Sequence, residues 1–142
     1  MTIAQVLSQR LLLCLALGWM GPIQSAPPAC PDAADISALQ LQGQWRVQLK
    51  AQAHAWRLEL KPHPEHIGSL RGELDTGSQR FAVVADWDDG EFTLEESHDG
   101  QRIAATWLGK LSPNGCAQTL MGERETAQGV TDSFEMRRPV TK

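Results

Sequence analysis

The chain has 142 residues, 42% of them hydrophobic and 6% aromatic, with 13 Lys and Arg against 17 Asp and Glu for a net charge of −4. That length suits one domain, and an acidic balance without a basic cluster excludes a nucleic-acid binder of the ordinary kind. Gly and Pro contents of 12 and 8 are too low for a disordered, low-complexity chain.

Residues 1–26 read as a signal peptide. Arg10 is the only charge before the apolar run Leu11–Met20, which is too short to span a bilayer but suits a signal-peptide core. Gly21-Pro22 ends that run, and Gln24-Ser25-Ala26 offers small residues for cleavage after Ser25 or Ala26. Pro27-Pro28 before Ala29-Cys30 excludes a lipoprotein box. The expected home is therefore the periplasm or the exterior, with no membrane span after cleavage. Cys14 leaves with the leader, and the remaining pair, Cys30 and Cys116, is expected to form a disulfide in an oxidising compartment. It would tie a Pro-rich N-terminal arm, residues 27–38, to the C-terminal quarter of the domain.

From residue 39 to 142 the pattern has the period of strands. Leu41, Gly43, Trp45, Val47 and Leu49 alternate with polar residues, as do Trp56, Leu58 and Leu60 before Pro62 and Pro64. Further strands are expected near 70–74, 81–87, 91–97, 101–110, 116–122 and 131–138. Asp75-Thr76-Gly77, Asp88-Asp89-Gly90, His98-Asp99-Gly100 and Asn114-Gly115 supply hairpin turns between them. Asp32–Ala38 has room for a helical turn or two. Eight antiparallel strands in a meander abolish their edges by closing, so the expected fold is all-β, an eight-stranded antiparallel up-and-down barrel with a short N-terminal arm; a flattened sandwich is the alternative.

Gly43-Gln44-Trp45 on the first strand and Phe134-Glu135-Met136-Arg137-Arg138 on the last resemble the calycin superfamily, which includes lipocalins, avidins and a bacterial metalloprotease inhibitor. The resemblance implies that Gly43 and Trp45 lie near the barrel base beneath an arginine of the last strand, for which Arg138 has the right parity. Leu41–Trp45 also resembles the first strand of the protease inhibitors.

Four tryptophans, Trp45, Trp56, Trp87 and Trp107, share parity with apolar neighbours, so they fill the core or line a small-ligand site. Glu96 has the parity of Phe92 and Leu94; if it faces inward it needs a partner, such as Arg102, Thr106 or a ligand. Trp87, Trp107 and Glu96 are the expected ligand contacts. Other patterns carry less chemistry. In His63-Pro64-Glu65-His66 the prolines should hold the rings apart, which disfavours a metal site. The acidic run Asp86–Glu91 lacks the ligand spacing of a calcium loop. Ser97-His98-Asp99 is contiguous at a hairpin tip, where a catalytic triad cannot form. The expectation is an exported, non-enzymatic protein without cofactor or metal. It binds a small apolar or aromatic ligand in the barrel; alternatives are an inhibitor of a secreted protease or lysozyme acting through its arm or loops, and a structural envelope protein.

Overall fold

A computed structural model describes residues 29–140. The expected signal peptide and the first two residues of the arm lie outside the described residues. Two short 3-10 turns, Ala33–Asp35 and Ala38–Leu41, precede eight strands. These are β1 (Gly43–Leu49), β2 (Trp56–Pro62), β3 (Leu70–Asp75), β4 (Arg80–Asp88), β5 (Glu91–Ser97), β6 (Ile103–Leu111), β7 (Thr119–Thr126) and β8 (Thr131–Arg137). Each strand pairs antiparallel with the next, and β1 pairs with β8 through Val47 opposite Met136, so the sheet closes into a barrel. Alternation decides the faces: Trp45, Val47 and Leu49 of β1 point inward with Phe92 and Leu94 of β5, and all are essentially inaccessible. Trp107 packs against Phe134 with ring centroids 5.0 Å apart. The barrel centre is therefore occupied by side chains, as an eight-stranded barrel permits.

The base of the barrel is closed by the arm. Ile36, Ala38 and Leu41 are buried there, and a disulfide joins Cys30 to Cys116 in the β6–β7 connection, with Cα atoms 4.6 Å apart. Leu39 and Leu41 thus belong to a 3-10 turn rather than to the first strand. The carbonyls of Gln40 and Gln42 explain this: Arg138 donates to both, at 2.5 and 2.6 Å, so they need no ladder partner. The same guanidinium lies 4.4 Å above the Trp45 ring, whose Nε1 donates to the Leu41 carbonyl at 2.8 Å. Gly43 has φ +110°, and a Cβ there would meet Arg138 Nη1 at 2.9 Å, so the first strand can start under the arginine only at a glycine.

Three boundaries differ from the sequence reading. Cys116 and Ala117 take φ of 44° and 58° inside the β6–β7 connection, and the strand starts only at Thr119. Gly115, expected to carry the positive φ, instead sits where a Cβ would meet Thr119 and Ser112 side chains at 2.9 and 3.1 Å. β6 begins at Ile103 because Asp99 accepts the backbone N–H groups of Gln101 and Arg102, holding both in the turn. β7 runs on past Gly122 to Thr126. A Cβ at Gly122 would lie 1.9 Å from the Leu108 carbonyl oxygen, so this glycine lets two backbones close up within the sheet instead of ending a strand. Among the described residues no helix is long and apolar enough to cross a membrane.

Gly43→Ala is expected to destabilise the barrel by about 1–3 kcal/mol, since it sets a side chain at positive φ and against Arg138. Urea unfolding checks this; an unchanged midpoint would show that the arginine latch yields freely.

Candidate functional site

The end opposite the arm is the mouth, rimmed by the β1–β2, β3–β4, β5–β6 and β7–β8 connections. Glu96, near the end of β5, is the one buried charged residue among the described core, with 0% exposure. Its parity continues that of Phe92 and Leu94, and a register irregularity between Glu96 and Ser97 lets the chain turn immediately above it. Four donors converge on the carboxylate. Arg124 of β7 donates from Nε to Oε2 and from Nη2 to Oε1, both at 3.0 Å; Trp107 Nε1 reaches Oε2 at 3.1 Å; His98 Nε2 lies 2.6 Å from Oε1. Burial pushes the Glu96 carboxyl up, but the Arg124, His98 and Trp107 hydrogen bonds outweigh it and hold the group below its ordinary value. An ionised carboxylate only accepts, so His98 Nε2 carries the proton of that bond.

Aromatic rings surround the ion pair. Arg124 Cζ lies 5.7 Å from the Trp56 ring centroid and 5.5 Å from that of Trp107, and the two indoles meet edge-on at 6.4 Å. On the other side, the half-exposed His98 ring stacks on Phe81 at 3.9 Å. Five strands thus contribute, since β2, β4, β5, β6 and β7 supply Trp56, Phe81, Glu96, Trp107 and Arg124. A cavity of about 320 Å³ on the rim touches the cluster only at His98 and is otherwise lined by Asp99, Arg102, Ile103, Ala104, Ala127 and Gln128. Larger grooves lie on the outer wall, such as the one over β2, β3 and β4 beside Lys61 and Glu73.

Of the three expected ligand contacts, the structure joins two. Glu96 and Trp107 are hydrogen-bonded at the mouth, whereas Trp87 is part-buried near the base, opposite Phe92 and beside the Asp89-Gly90 turn. Val83 is the residue opposite Glu96, so Trp87 lies about 13 Å further along β4. The expected partners of Glu96 were also different. Arg102 pairs with Asp99 at 2.8 Å instead, and Thr106 is exposed on the outer face. A strand that ends at Gly122 leaves Arg124 outside the sheet; the inward parity of Leu120, Gly122 and Arg124 is the signal that finds it.

The remaining motifs resolve simply. His98 turns to Glu96 and Asp99 serves the backbone of its own turn, so Ser97-His98-Asp99 forms no relay. His63 and His66 are not held apart: their rings sit 4.4 Å from each other, because His63 Nδ1 accepts the backbone N–H groups of Glu65 and His66 and curls the loop. Among the described residues no group of three His, Cys, Asp or Glu could hold a metal ion. In the acidic run, Asp86 accepts from the Ser69 hydroxyl, and Asp89 and Gly90 form the turn at φ 45° and 83°. No known protein-family model matches the chain, and no curated protein matches it significantly.

Arg124→Met leaves a buried carboxylate without its cation and is expected to cost about 3–5 kcal/mol in urea unfolding, whereas adding Glu96→Gln should restore most of that stability, since Gln still offers Trp107 an acceptor. A double variant no better than the single one would show that the ion pair is not the source of the loss. Acid should act through the same group. Backbone N–H groups of Gly77 and of Arg102 and Gln101 hold Asp75 and Asp99 low, as the mouth donors hold Glu96. Because the unfolded chain protonates these carboxyls first, their stabilisation is complete above the ordinary carboxyl range and is lost as pH falls through the folded-state values. Tm is therefore expected to fall below about pH 4, and a Tm that holds or rises there would contradict the assignment.

Proposed function

We propose that the chain is an exported, non-enzymatic binding protein that receives a small ligand at the mouth of its barrel. The observation that carries this reading is the Glu96–Arg124 pair. A largely buried ion pair adds little net stability compared with packed apolar side chains, so a polar cluster set at the mouth of an otherwise apolar interior points to recognition. Half-buried Trp56 and Phe81 and half-exposed His98 offer aromatic surface around it, the composition usual for a small-molecule site. The filled centre limits the ligand to the mouth and to a small size. The disulfide supports a periplasmic or extracellular home. The closed eight-strand meander and Arg138 stacked on Trp45 support a place among calycin-type barrels.

One observation favours a second reading, an inhibitor of a secreted hydrolase. The β2–β3 loop, framed by His63 and by the Ser69 N–H donated to the His66 carbonyl, presents Ile67 with its side chain fully exposed. A preorganised loop of that kind docks with little entropy loss. The arm suits the role less, because from Ile36 onward it closes the base.

A mixed panel of small neutral, anionic and cationic aromatic compounds, followed by Tm and tryptophan fluorescence, tests the first reading. A hit should raise Tm and quench Trp56 or Trp107, with Trp56→Leu weakening binding by about tenfold or more. A panel without any hit would overturn the mouth reading and leave the loop reading.

A further inference from the structure

Resting on the mouth reading, we infer that the ligand is a small aromatic carboxylate held by the free end of the Arg124 guanidinium. Glu96 itself has no room for a ligand. A carboxylate offers about four acceptor positions, and Arg124 Nε, Arg124 Nη2, Trp107 Nε1 and His98 Nε2 occupy them, two on each oxygen. Trp107 is equally closed, since only 1% of it is exposed and its N–H is engaged. Of the two expected ligand contacts that lie at the mouth, neither can touch a ligand without rearrangement. Contact passes to the groups they hold in place.

Arg124 is the first of these. A guanidinium has five N–H groups in a fixed plane. Glu96 takes one from Nε and one from Nη2, the side-on edge, which leaves one on Nη2 and both on Nη1. Among the described residues nothing accepts from Nη1, and no buried side-chain nitrogen or oxygen lacks a partner. Nη1 therefore reaches solvent, although the side chain as a whole is only 14% exposed. What remains is the end-on pair of parallel donors, the geometry that a second planar carboxylate accepts bidentately. Glu96 prevents that fork from rotating away and from reaching another protein acceptor. The plane of the guanidinium lies beside the Trp56 ring, and the stacked His98–Phe81 pair stands at the other flank of Glu96. An aromatic body attached to the carboxylate would find ring surface there. An aliphatic cation would bring no acceptor to the free N–H groups of Arg124, and a bulky lipid would find no hollow interior.

The test compares acids with their neutral isosteres on the disulfide-bonded protein by calorimetry: benzoate against benzamide, and indole-3-acetate against indole-3-acetamide. The acids are expected to bind at least about tenfold more tightly than the amides, and Arg124→Lys, which keeps the charge but loses the planar fork, should remove that preference. Lys61→Ala on the outer wall should change nothing. Should Arg124→Lys fail to fold, Trp56→Leu reports on the same site from the aromatic side and should weaken both acids. Amides that bind as well as acids, or a wider panel that binds while neither acid does, would overturn the carboxylate assignment and leave the mouth reading standing. Acids whose affinity is untouched by Arg124→Lys and Trp56→Leu would overturn both.

Discussion

Closure of the sheet is the constraint on which everything else depends. With β8 hydrogen-bonded to β1, no strand carries a free edge, and the inner face has a fixed circumference that eight rows of side chains must fill. Where large rings meet, small residues must yield space. A Cβ at Gly109 would strike the Phe134 ring at 2.9 Å, while Gly122 opposite it allows the two backbones to approach. Phe134, which packs on the buried Trp107, keeps its place only because Gly109 lacks a side chain.

A closed barrel still has two ends, and this chain treats them differently. The base is sealed covalently and electrostatically: the arm is anchored by a disulfide and folded over the end, and Arg138 joins the last strand to the ring of the first and to two carbonyls just before that strand, those of Gln40 and Gln42. The Gln40 and Gln42 carbonyls, which lie outside the ladder, gain a charged donor, and that of Leu41 gains the Trp45 indole N–H. The mouth is sealed by a second arginine with different surroundings. Arg124 faces a carboxylate beneath it and rings beside it, and its Nη1 reaches solvent. Two cation–ring contacts thus stand at opposite ends, one bonded to backbone carbonyls and one to a buried carboxylate.

That contrast also explains why the polar cluster is the place to look for function. A carboxylate with 0% exposure demands compensation, and the compensating donors come from two further strands and one turn that only the finished barrel brings together. The cluster is rigid for the same reason, since shifting any of β5, β6 or β7 would strip a donor from Glu96. Rigidity of that kind lowers the entropy of receiving a ligand.

Much of this was legible in the residues. Period-two alternation and the Asp-Gly, Thr-Gly and Asn-Gly turns determine eight strands in sequential order; the cysteine pair and the parity of Arg138 with Phe134 and Met136 point to the two ties at the base; the parity of Glu96 places it inside. All of these are local signals, read over two to ten residues. Tertiary structure decided the rest. Whether Gly122 ends a strand or passes close under Leu108 depends on how near β6 lies, and that distance is set by barrel curvature, which no local pattern encodes. The partner of Glu96 followed from that choice, because Arg124 belongs to the sheet only if the strand continues. Likewise Trp87 and Trp107 carry the same signal in the chain, yet register sends one to the base and the other to the mouth. Which side a residue faces is a property of its own strand; which residues it meets there depends on seven others.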